Sequence, residues 1–141
     1  MADWYLLAGD EAALPAIAAS LERIPAGRPV LAVLIVDGPD CRLALDCPGD
    51  LRITWVHRAD HARDPDHVVR AVEGLDFPDG RVHVFVHGEA SEVRAVRKHL
   101  LGARGLPRDG ASISPYWRRN HTDEAWRSVK RQWLIDSEGD V

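Results

Sequence analysis

Apolar residues fall into short continuous runs that alternate with stretches spaced for a helix. Trp4 to Ala8 reads as a first strand. Leu14, Ile17, Leu21 and Ile24 then recur at intervals of three and four, the signature of one helix face, and Pro25-Ala26-Gly27 stops the helix. Val30 to Val36 is β-branched or aliphatic throughout, as in a strand covered on both faces. Cys41 to Leu45 reads as a short extended piece, and Ile53 to Val56 as a third strand. Beyond a polar loop, Val68, Val72 and Leu75 mark a second helix, ended by Phe77-Pro78-Asp79-Gly80. Val82 to Val86 predicts a fourth strand, closely followed by Gly88. Val93, Val96 and Leu100 share a face of a third helix that ends near Gly102 to Gly105. Ser112 to Tyr116 is a weaker fifth strand. Thr122-Asp123-Glu124 suits the cap of a last amphipathic helix, with Trp126, Val129 and Trp133 on one side.

Strands alternating with helices imply a three-layer, doubly wound α/β fold with a parallel sheet of about five strands and a C-terminal helix. Such sheets take ligands beyond the strands' carboxyl ends, where the winding reverses. For a strand order 3-2-1-4-5 the crevice lies between strands one and four. Gly9-Asp10 ends the first and His87-Gly88-Glu89 the fourth, so two glycine–acid pairs form its expected lips.

Composition narrows the class without naming a chemistry. The chain has 141 residues, 45% hydrophobic and 28% charged, which suits one globular domain. No apolar run approaches the roughly 20 residues of a membrane helix, so no membrane partner is expected. An acidic N-terminus that enters a strand at once is unlike a secretory signal, and a cytoplasmic location is the default expectation. Cys41 and Cys47 are then expected as free thiols.

The net charge of −4 argues against general nucleic-acid binding. The charge is unevenly spread. Ten Lys/Arg lie between Arg94 and Arg131, against Asp109, Asp123 and Glu124 alone. That excess suits an anionic ligand or an acidic partner; an Arg-rich solvated helix face gives the same count. His57, His61 and His67 are too loosely spaced to predict a metal site. No P-loop, nucleophile elbow or triad is present, and no catalytic side chain is assigned.

The first lip runs Gly9-Asp10-Glu11-Ala12-Ala13-Leu14-Pro15-Ala16-Ile17. It lacks the three glycines of the usual dinucleotide fingerprint. Its physics still suits an anion: Gly9 permits a sharp turn, the helix start offers amides, Asp10 can cap, and Pro15 fits only a first turn. An ordinary capped strand–helix turn explains the same residues. Two carboxylates beside a pyrophosphate must also point away from it.

Taken together, Gly9 to Ile17, Trp55-Val56-His57-Arg58, Gly88-Glu89-Ala90-x-x-Val93-Arg94 and Tyr116-Trp117-Arg118-Arg119 resemble, in order and spacing, the siderophore-interacting proteins. These are flavin-dependent ferric-siderophore reductases of the ferredoxin–NADP reductase superfamily. The resemblance covers residues 4 to about 120 and only the family's C-terminal, nucleotide-binding half. It implies a Rossmann-like domain of the ferredoxin-reductase NADP type over residues 1–141, with no N-terminal flavin-binding barrel.

By that resemblance Gly9, Asp10, Glu11, Ala12 and Ala13 face the nucleotide phosphates. Arg58 pairs with an adenosine 2′-phosphate and favours NADPH over NADH; an exposed loop arginine is the competing reading. His87, Gly88, Glu89 and Ala90 lie beside the nicotinamide. Tyr116, Trp117 and Arg118 lie near the flavin edge or anchor the last helix. The chain departs from the family's usual residues in Ala12 (for Thr), His87 (for Ala), Pro115 (for Gly) and Asn120 (for Gly). The implied function is NAD(P)H binding for a reductase that releases siderophore iron, with FAD supplied by a partner domain. The alternatives are a non-catalytic domain that docks to a separate flavin subunit or iron-uptake partner, and a domain whose nucleotide site has degenerated.

Overall fold

The computed structural model describes residues 2–60 and 66–141. Five parallel strands form one sheet: β1 (Trp4–Gly9), β2 (Pro29–Val36), β3 (Asp50–His57), β4 (Val82–Glu89) and β5 (Ala111–Trp117). Their order is β3-β2-β1-β4-β5, the order for which the crevice lies between strands one and four. The winding therefore reverses between β1 and β4, where the end of β1 pairs Ala8 with Val86 and Gly9 with His87.

Alternation along the strands sends side chains to two cores. Leu7, Ala32, Leu34 and Val36 meet Leu14, Ile17 and Leu21 of α1 (Leu14–Leu21) on one face. Leu6, Ala8, Val33, Ile35, Val84 and Val86 pack on the other against α2 (His67–Glu73), α3 (Ala90–Arg97) and α4 (Asp123–Gly139). Burial of these apolar chains on both faces is the main force holding the layers together. Gly9 is required by the close approach of α1: a Cβ there would lie 2.7 Å from Ile17 Cδ1 and 2.9 Å from the His87 carbonyl oxygen.

Several expectations change. Cys41 to Leu45 is not a strand: Pro39–Cys41 forms a 3-10 turn and the residues after it have no regular structure. Its alternating Leu43 and Leu45 mimic a strand, but Leu43 is 54% exposed and only Leu45 packs on the core. Gly88 and Glu89 lie within β4 rather than after it. The third helix does not continue as α to Leu100; a π-helical segment, Lys98–Ala103, follows α3. Arg104 closes this region by donating to the carbonyls of Glu73 and Leu75, 3.1 Å each, at and just past the end of α2.

Both cysteines are free. At the C-terminus Thr122 Oγ1 accepts the Ala125 amide, and Trp133 Nε1 donates to the Ala90 carbonyl, which fastens α4 to the start of α3.

Candidate functional site

At the carboxyl ends of the strands the two expected lips meet around one buried side chain. Asp10, 1% exposed, follows β1 directly. Its Oδ1 accepts the Ala12 amide at 3.0 Å, and its Oδ2 accepts the Glu89 amide at 3.0 Å, Trp117 Nε1 at 2.8 Å and Arg58 Nη2 at 3.2 Å. One carboxylate thus ties the first turn to the ends of β3, β4 and β5. It does not cap a helix as expected: α1 begins at Leu14, and its N-cap residue Ala13 makes no side-chain bond. The Asp10 carbonyl also takes the Ala13 and Leu14 amides, so the turn satisfies much of its own backbone. Glu11 and Ala12 remain exposed on its outer surface, and Ala13 is buried.

Gly88 lets β4 come this close. Its φ is +154, and a Cβ would meet Asp10 Oδ2 at 2.9 Å. Non-glycine residues rarely adopt that backbone region. Glu89, 1% exposed, caps α3 by accepting the Ser91 and Glu92 amides, and it also accepts the Arg119 amide. Ala90 is wholly buried behind it.

Arg58 sits just past β3 with 15% of its side chain exposed. Nη2 bridges Asp10 at 3.2 Å and Glu92 at 2.9 Å, and the guanidinium lies 5.4 Å from the centre of the Trp117 ring. Nη1 is buried without a hydrogen-bond partner among the described residues. Glu92, 3% exposed, also lies 3.5 Å from His67 Nε2 and 3.7 Å from Arg119 Nη2. Burial pushes its carboxyl up to about 7, and the neighbouring Glu89 and Asp10 add to the rise against the opposing pull of Arg58 and Arg119. Among the described residues, three carboxylates here face two guanidinium groups.

The second lip is aromatic on the α1 side of the sheet. His87 stacks on Phe85 with centroids 3.9 Å apart, meets Tyr116 edge-on at 4.9 Å, and shares a 2.9 Å hydrogen bond with Ser112 Oγ. Burial lowers its pKa, which favours the neutral ring. Tyr116 is 41% exposed. Nearby, an open cavity of about 280 Å³ is lined by Tyr5, Leu7, Ile24, Phe85 and Ser112, among others.

The remaining candidates separate from this cluster. Arg118 lies on an outer groove with Ser91, Arg94, Lys98 and Trp133. His57 bonds Arg42 at 3.0 Å, and His61 falls outside the described residues. The basic excess is partly cancelled by acids beyond the counted stretch: Arg94 pairs with Asp140, and Arg97 and Arg108 with Glu138. Pro115 and Asn120 both have structural reasons. Pro115 sits on the edge strand β5, where a missing amide is tolerated. Asn120 has φ +63, a backbone region that asparagine enters more readily than most residues.

Sequence reading missed Glu92, His67 and Arg119 as members of the cluster. Glu92 stands beside Val93 at a helix start, and no spacing separates it from an ordinary first-turn acid.

A parallel α/β sheet with its polar cluster at the winding reversal defines the general class. The chain belongs to the siderophore-interacting protein family, whose model matches residues 2–120. It is 34% identical over 139 residues to the ferric vibriobactin reductase ViuB of Vibrio cholerae, covering 97% of this chain and 51% of that protein. A siderophore utilization protein from T. fusca matches with a TM-score of 0.75 and 38% identity, over 87% of this chain and 48% of the other. The siderophore-interacting protein SipS of Aeromonas hydrophila matches with a TM-score of 0.79 and 25% identity, over 96% and 53%. The chain therefore spans about half the length of these relatives.

Proposed function

We propose that this chain is the pyridine-nucleotide-binding part of a ferric-siderophore reductase. The observation that carries the reading is the direct pairing of Gly9 with His87, which joins the two lips at the winding reversal. The fit to a dinucleotide rests on the exposed outer surface at Glu11 and Ala12, with Asp10 turned inward away from an approaching phosphate.

When bound, the reduced nicotinamide supplies hydride to a flavin carried outside this chain, and siderophore iron(III) is the substrate reduced to iron(II). The protein's own part is to position. Glu11 and Ala12, on the outside of the Gly9 to Ala13 turn, face the phosphates, His87 and Gly88 border the nicotinamide with Glu89 and Ala90 buried behind them, and the ring face of Phe85, His87 and Tyr116 receives a flavin-bearing domain. The exposed aromatic face also favours the second reading, a binding module that acts only with such a partner.

Titration of the purified chain with NADPH and NADH, together with its visible spectrum, tests the reading. Nucleotide binding without a flavin spectrum is expected. Absence of binding to either at millimolar nucleotide would reject it.

A further inference from the structure

We infer that Arg58 is a positioning residue that holds the nucleotide site together, so that the site takes NADH and NADPH with no discrimination through this side chain. The inference rests on the nucleotide-binding proposal above and specifies its ligand selectivity.

The geometry turns Arg58 away from solvent. Its Nη2 is bonded to both Asp10 and Glu92, its Nη1 is enclosed, and the guanidinium lies near the Trp117 ring. Reaching a 2′-phosphate outside the cluster would strip both buried carboxylates of this cation. A single phosphate contact made in solvent is a poor exchange for two enclosed ones.

What Arg58 does for a nucleotide follows from its partners. Asp10 holds the Ala12 amide of the first turn, the Glu89 amide of β4 and the indole of Trp117. Without Arg58, Asp10 loses its guanidinium partner, the pull that opposes protonation of Glu92 is removed, and among the described residues the cluster keeps only Arg119 as a close guanidinium. The turn then loosens, and the negative charge beneath it repels the incoming pyrophosphate. That pyrophosphate is common to NADH and NADPH, so both ligands lose affinity by the same factor.

The test measures dissociation constants of both nucleotides for the wild-type chain, Arg58→Lys and Arg58→Ala, with thermal melts alongside. Arg58→Ala is expected to weaken both roughly tenfold, with the NADPH-to-NADH ratio held within about threefold, and Arg58→Lys to recover part of both. Weakening of NADPH by about tenfold or more with NADH unchanged would overturn the inference while leaving nucleotide binding intact. Unchanged affinity for both would overturn it too. If Arg58→Ala does not fold, Arg58→Lys and Glu92→Gln carry the test: weakening of both nucleotides at a constant ratio supports the inference, and unchanged affinities or a tenfold change of ratio, about 1.4 kcal/mol, overturn it. No binding of either nucleotide to the wild-type chain overturns both this inference and the reading beneath it.

Discussion

Two arginine–carboxylate assemblies flank α3, and they differ in nearly every physical respect. At its start Asp10, Glu89 and Glu92 are each at most 3% exposed and face Arg58 and Arg119. Toward its end Arg94 meets Asp140, and Arg97 and Arg108 meet Glu138, with several of these side chains well exposed. The outer clasp sets three arginines against two acids, mostly at the surface, where each exposed pair contributes little and salt screens it. Among the described residues the inner cluster sets three buried carboxylates against two guanidinium groups and compensates through backbone amides and an indole. Such an arrangement is costly for stability alone, and it stands where the sheet's winding reverses.

Substitutions should separate the two. Asp10→Ala strands the amide of Glu89 and the indole of Trp117 and removes a partner of Arg58. A loss of about 3–5 kcal/mol is expected in urea unfolding. A loss below about 1 kcal/mol would place the inner cluster on the same footing as the outer clasp.

Glu92 sharpens the contrast through pH. Its folded pKa of about 7 lies above the ordinary 4.5, so the folded protein binds this proton more tightly than the unfolded chain. The stabilisation is complete below pH 4.5 and is lost as pH rises through 7. It amounts to something on the order of 3 kcal/mol. Stability curves across that range should slope downward with pH in the wild type and lose this component in Glu92→Gln.

Gly88→Ala forces a side chain into a φ of +154 and against Asp10 Oδ2. About 1–3 kcal/mol of destabilisation is expected from the backbone alone, read from thermal or urea melts. The smallest effect belongs to the outer clasp: Arg94→Ala should cost no more than about 1 kcal/mol, and that loss should shrink further in high salt.

The sequence by itself determined the architecture. Continuous runs such as Val30 to Val36 have no polar face, so a sheet covered on both sides accommodates them, and right-handed crossovers make it parallel and doubly wound, while the structure supplies the order of its strands. Gly9-Asp10 and His87-Gly88-Glu89 could be placed at the crevice because strand ends are local features. Even so, β4 runs on through Glu89, since pairing with β5 extends the strand past its apolar stretch. Family membership was equally legible, because four ordered motifs carry it.

Only the tertiary structure decided which way the polar side chains point. Asp10, Arg58 and Trp117 are separated by tens of residues, and nothing in their local sequence distinguishes a side chain facing a ligand from one facing another strand's end. Their meeting depends on the register of β1, β3, β4 and β5. The same holds for Glu92 and for the pairing of Arg94 with Asp140, which α4 brings back across α3. Hydrophobic periodicity encodes burial, whereas partner choice among buried charges is encoded only by the packing that brings them together.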